Sequence, residues 1–134
     1  PSLKDAEENF QELRKNFPDS RIIIQEHVDG VEMILGLKKD KVFGKLLLVG
    51  FGGTFTEVIR DVSFRALPID RKEIGKMIEE LKMNKILASR KKYAIDKFIS
   101  LAERASKLDV EEADFNPVIL NEQDAVIVDA RVMV

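Results

Sequence analysis

The 134-residue chain closes on DFNPVILNEQDAVIVDARVMV, two apolar runs with one carboxylate, Asp129, set inside the second. Asp129 interrupts Ala125, Val126, Ile127, Val128, Ala130 and Val132. A carboxylate in such a strand either lies on the wet face or is required by something positively charged. Asn116 and Pro117 in the first run read as a turn. If the two runs pair antiparallel, the Asn116 amide oxygen and the Asp129 carboxylate could converge on one hard cation. Magnesium accepts that donor set: one or two protein oxygens, with phosphates and waters completing an octahedron. On spacing alone, a solvated carboxylate keeps a narrow advantage.

Other residues offer chemistry with weaker spacing. Glu26 and Glu32 flank Asp29-Gly30; they could bind the hydroxyls or amine of a ligand, and solvated strand-face carboxylates are the simpler reading. His27 is the one histidine. It could be a base, a metal ligand or a phosphate carrier, but with no second His or Cys beside it a strand-end side chain is the plainer account. Gly50, Gly52 and Gly53 follow an apolar strand in VGFGGTF. Such glycines let a backbone approach a phosphate closely. The spacing is not GxGxxG and no Lys-Ser or Lys-Thr follows, so a tight turn or bulge fits better.

Composition narrows the classes. The chain has the length of a single domain, residues 1–134, with 45% hydrophobic and 34% charged residues, as in an ordinary folded protein. A net charge of −2 leaves no footprint for nucleic acid, and the dense basic run Arg90-Lys91-Lys92 reads as a solvated turn. With no cysteine there is no disulfide framework, thiolate nucleophile or zinc-finger site. No signal peptide or apolar run of membrane-spanning length is present, so no membrane partner is expected and the cytoplasm is the default compartment.

The elements that must position these residues can be read from periodicity. Leu3, Ala6, Phe10, Leu13 and Phe17 recur at helical steps, behind a Ser2…Asp5 pair that resembles a capping box. Asp29-Gly30 between two β-rich runs predicts a hairpin with strands at about 21–28 and 31–38. Further strands are expected at 46–49, at 55–59 and around 63–68. Asp70 with Glu73 opens a helix carrying Ile74, Met77, Ile78 and Leu81, and a second helix covers about 94–108 with Ile95, Phe98, Ile99, Ala102, Ala105 and Leu108 inward. Strands near 112–121 and 125–132 end the chain. The order predicts an α+β domain with a mainly antiparallel sheet and helices packed on it.

Taken in order, the motifs resemble a known family. QEHVDGVEMILGLKKDKVFGKLLLVGFGGTFTEVIRDVSFRALPI is similar to the β part of ADP-forming acyl-CoA synthetases (acetate–CoA ligases), with their Q-E-x-x…E-x-I-x-G, D-x-x-F-G, G-x-G-G-x-x-x-E-V and D-V-x-F-R segments. DFNPVI…VIVDARVMV resembles the closing D-x-N-P and V-D-A-R strands of the same proteins, and the succinyl-CoA synthetase β subunit is a more distant relative. The motifs run from about residue 21 to the end.

That resemblance implies the C-terminal subdomain of an ATP-grasp fold, in which two α+β subdomains clasp a nucleotide. It implies Mg2+ on Asn116 and Asp129, and ATP or ADP against Glu26, His27 and Val28 of the linker strand, with Glu32 near the ribose. The function implied is the nucleotide- and magnesium-binding part of an enzyme catalysing acyl-CoA + ADP + phosphate ⇌ acid + CoA + ATP through a phosphohistidine carried elsewhere. Partners would be a CoA-binding α subunit or domain and the ATP-grasp N-terminal subdomain, which the motifs here do not include, and an oligomer is expected. The departures are that no phosphohistidine segment is present, His27 stands where an apolar residue is commoner, and KMNKILASRKKYAIDK replaces a Gly-Tyr and Arg-Gly loop. The alternative is a non-catalytic nucleotide-binding or structural interaction module.

Overall fold

The computed structural model describes residues 2–53, 60–87 and 92–134. The strand expected at 55–59 and most of the basic run at 90–92 lie outside the described residues. Helix α1 (Leu3–Asn16) comes first, then strands β1 (Val31–Asp40), β2 (Gly44–Phe51) and β3 (Val62–Ala66). Helices α2 (Arg71–Glu79), α3 (Asn84–Leu87) and α4 (Ile95–Ser106) follow, and β4 (Glu112–Leu120), β5 (Ala125–Ile127) and β6 (Ala130–Met133) complete the chain. The strands form one sheet in the order β3-β2-β1-β4-β5, with β6 also on β4, and every pairing is antiparallel. The α+β expectation holds.

Alternation decides which face is covered. Met33, Leu35 and Leu37 of β1, with Leu47, Val49 and Phe51 of β2, point to one side and are buried. There they meet Ile74, Met77 and Ile78 of α2 and Phe98 and Ala102 of α4 in one core. Each such large side chain withdrawn from water contributes roughly 1.5–3 kcal/mol. The predicted inward face of α4 is correct at Phe98, Ile99, Ala102 and Ala105, whereas Leu108, past the helix end, is 39% exposed. Among the described residues no helix packs on the opposite face of the sheet; Ile34, Gly36, Lys38, Leu46, Leu48, Phe64 and Asp114 line a shallow depression there.

The expected hairpin at Asp29-Gly30 is corrected. Residues 21–29 form no strand, and Ile23 and Ile24 are 78% and 80% exposed. The physical reason is edge occupancy: β1 pairs with β2 on one side and β4 on the other, so no edge remains for a strand at 21–28. β1 forms its hairpin with β2 instead, through a turn in which the Asp40 carboxylate accepts the Val42 and Phe43 amides at 2.8 and 2.9 Å. Gly30 is required for another reason: a Cβ there would lie 2.6 Å from the Leu120 carbonyl oxygen.

The caps follow the sequence closely. Ser2 Oγ accepts the Asp5 amide and Asp5 accepts the Ser2 amide, a full capping box. The Asp70 carboxylate accepts the Glu73 amide at 2.8 Å, but the Glu73 side chain turns to Arg65 rather than back to the cap. Helix α1 keeps its apolar stripe, yet none of its residues is buried.

Candidate functional site

The terminal strands pair as expected, in the same sheet as β1. β5 and β6 share one register along β4, from Leu120 opposite Ala125 to Glu112 opposite Met133. In the gap between them the Asn116 amide donates to the Asp129 carbonyl at 3.2 Å, and the Val128 amide to the Pro117 carbonyl at 3.0 Å. Asn116 therefore stands opposite Asp129, where side chains on neighbouring strands meet. Both are exposed.

A bulge sends them to the open face. Phe115 and Val118 are both buried although three residues apart, which strict alternation forbids. The β1–β4 register slips between Met33 and Leu35, so that Ile34 alone opposes Asn116 and Pro117. Below the slip Asp114 and Asn116 alternate with core residues Ala113 and Phe115 and face outward. Asp129 Oδ1 accepts the Ala130 amide at 2.9 Å, which fixes the carboxyl and leaves its second oxygen free of protein partners among the described residues. An amide oxygen and a carboxylate oxygen, adjacent and solvent-facing, form a donor set suited to a hard divalent cation whose other ligands come from phosphate and water. Among the described residues no group of three or more His, Cys, Asp or Glu side chains could hold a metal alone.

Glu32 occupies the same open face, across β1 from Ile119, with its carbonyl accepting the Gly52 amide at 2.7 Å. The glycine turn is shaped around it. A Cβ on Gly52 would lie 3.1 Å from Glu32 Cβ, and one on Gly53, at φ +84°, 3.2 Å from Glu32 Oε2. The bare backbone at Gly52-Gly53 thus seats the Glu32 carboxylate, a contact that motif spacing did not reveal. Gly50 is needed for packing: a Cβ would meet the Asp61 carbonyl oxygen at 2.8 Å.

Glu26, His27 and Val28 are placed differently. They sit in the segment without regular secondary structure before Gly30, and His27 Nε2 lies 2.9 Å from the exposed Asp29 carboxylate. Among the described residues no hydrogen bond joins these three to Glu32, Asn116 or Asp129.

The DVSFR segment is structural by contrast. Asp61 is 4% exposed, and its two oxygens accept the Lys82 and Met83 amides at 2.8 Å each. Arg65 spans from β3 to α2, bonding Glu73 and Glu80, while Ser63 also bonds Glu80. The Arg65 guanidinium holds both carboxyls below the usual range, with Lys76 adding to the effect on Glu73 and Ser63 to that on Glu80. Those carboxylates in turn raise Arg65.

Known proteins resemble this chain in sequence and fold. Residues 2–134 match the family model of the ATP-grasp domain. The chain is 34% identical to acetate–CoA ligase [ADP-forming] II of Archaeoglobus fulgidus, covering 99% of this chain and 21% of that protein. It is 35% identical to the β subunit of acetate–CoA ligase [ADP-forming] II of Pyrococcus furiosus, covering 97% of this chain and 61% of that subunit. Among solved structures, the dinucleotide-forming acetyl-coenzyme A synthetase 1 of Candidatus Korarchaeum cryptofilum, in complex with coenzyme A and Mg-AMPPCP, superposes with a TM-score of 0.82 at 32% identity. That match covers 99% of this chain and 64% of the other. The chain thus spans about a fifth of the first relative and under two thirds of the β subunit.

Proposed function

The chain belongs to the ATP-grasp domain family, and from that premise we propose that it supplies the nucleotide- and magnesium-binding sheet of an ADP-forming acyl-CoA synthetase. The observation that carries this reading is the meeting of Asn116 and Asp129 across the β4 bulge, on the sheet face opposite the helix-packed core. Asn116 and Asp129 would hold Mg2+, which when bound neutralises phosphate charge and orients the phosphates of ATP or ADP. Glu32, seated on Gly52-Gly53 on the same face, would accept hydrogen bonds from ribose hydroxyls. Glu26, His27 and Val28 border the nucleotide through the segment before β1.

Relatives named as acetate–CoA ligases, and a solved relative that holds coenzyme A, Mg-AMPPCP and a phosphohistidine segment pointing towards its nucleotide-binding site, support the same assignment for the complete enzyme. The reaction is then acyl-CoA + ADP + phosphate ⇌ acid + CoA + ATP. The phosphohistidine, the CoA-binding subunit or domain and the other half of the clasp come from outside these residues. The uncovered apolar stripe of α1, with Leu3 and Phe17 92% and 56% exposed, supports a further packing partner on that side.

The test is a titration of the chain with Mg-ATP, following backbone amide resonances. Shifts concentrated at Asn116, Asp129 and Glu32, and dependent on magnesium, are expected, with weak affinity because half a clasp leaves much of the ligand solvated. Magnesium-independent shifts, or none on this face, would remove the reading. The purified chain alone should form no acyl-CoA.

A further inference from the structure

Arg131 stands one alternate residue beyond Asp129 and directly opposite Asp114. Asp114 lines the open face of the sheet with Ile34 and Gly36, and residues opposite in an antiparallel ladder share a face. Arg131 therefore projects from the same face as Asn116 and Asp129. Two residues of strand separate it from Asp129 by about 7 Å, a span its own side chain covers.

Its charge has no internal role. Arg65 and Arg71 each reach two carboxylates within the protein. Arg131 makes no ion pair and no side-chain hydrogen bond among the described residues, even with Asp114 across the ladder. It is also the single basic residue after Lys107, in a stretch holding Asp109, Glu111, Glu112, Asp114, Glu122, Asp124 and Asp129. A lone guanidinium in an acidic surrounding, beside a carboxylate and an amide suited to a divalent cation, has one fitting complement. That complement is a polyanion that brings its own cation.

We infer that Arg131 is a phosphate-binding residue, donating to non-bridging oxygens of the nucleotide whose magnesium Asn116 and Asp129 hold. This rests on the reading of those two residues as the metal site. The planar guanidinium presents paired donors that match phosphate oxygens, which a lysine ammonium reproduces only as a point charge. The division of labour follows from charge. The metal neutralises part of the phosphate charge, and Arg131 meets an oxygen that remains unligated, while Asp114 and Asp129 keep the face unattractive to a metal-free anion.

The experiment titrates the chain and its Arg131→Met and Arg131→Lys variants with Mg-ADP and, in parallel, with adenosine, following amide resonances. Arg131→Met should weaken Mg-ADP about tenfold, the scale of one hydrogen bond to a charged group, and leave adenosine unchanged. Arg131→Lys should recover part of the loss. Mg-ADP affinity within twofold of the parent in Arg131→Met overturns the inference while leaving the metal site intact. Equal losses for adenosine and Mg-ADP overturn it too, because they mark a structural effect. A parent chain that binds no Mg-ADP removes the metal-site reading and the inference with it.

Discussion

DVSFR at 61–65 and VDARV at 128–132 each carry an aspartate and an arginine on a strand, and the protein uses them in opposite ways. In the first, Asp61 is buried against two amides and Arg65 is held between Glu73 and Glu80. In the second, Asp129 and Arg131 face solvent, and among the described residues the only bond to either side chain is the Ala130 amide on Asp129. The difference lies in what covers the strand. β3 runs beside α2 and the turn at Lys82-Met83, which supply donors and carboxylates, whereas Asp129 and Arg131 lie on a face where no helix packs among the described residues. Charges enclosed by partners fix a fold; charges without partners are available to a ligand.

The comparison breaks most readily at Asp61. Replacing it with Ala removes the buried acceptor of the Lys82 and Met83 amides and should cost about 3 kcal/mol, read from denaturant unfolding of the chain. A loss below about 1 kcal/mol would mean that this carboxylate is not a structural anchor.

Asp129→Asn should behave in the reverse manner. In the complete ligase proposed above it should lower turnover about a hundredfold, the scale of removing one charge-stabilising group, while the unfolding midpoint of the chain stays where it was. Asn116→Ala should act in the same direction with a smaller loss, about tenfold, since a neutral ligand is removed. Preserved magnesium-dependent turnover with altered stability would reverse the assignment of the two segments.

The smallest effect concerns acid. Glu73 and Glu80 are held below their ordinary range chiefly by Arg65. A carboxyl depressed in the folded state contributes stability that is complete above its unfolded value, about 4.3, and lost as pH falls through its folded value. Glu80→Gln should therefore lower stability slightly above that pH and flatten the acid limb below it, so that variant and parent converge as pH falls. An unaltered acid limb in Glu80→Gln would show that the Arg65 cluster does not report on folding.

Much of this was legible from residue order. Helical steps located α1, α2 and α4, Ser2 and Asp70 marked the starts of α1 and α2, and the apolar runs gave β1, β2 and β4. Those signals are local, set by side-chain periodicity and by backbone groups that need capping. The Asp29-Gly30 hairpin failed because a turn signal does not say whether a strand edge is vacant, and both edges of β1 are taken. Helix α1 was correctly placed, but periodicity says only that an apolar face exists, not what covers it.

Residue types alone determined that an amide and a carboxylate near the end of the chain suit a hard cation, and the resemblance pointed to Asn116 and Asp129. Which way they face was decided by tertiary structure. Counting back by twos from the buried Leu120 and Val118 would put Asn116 and Asp114 into the core. The bulge opposite Ile34 shifts the alternation by one and turns them outward. Arg131 joins them only because β6 keeps its register with β4 through that irregularity. Facing depends on pairing between strands that are distant in sequence, and no local pattern encodes it.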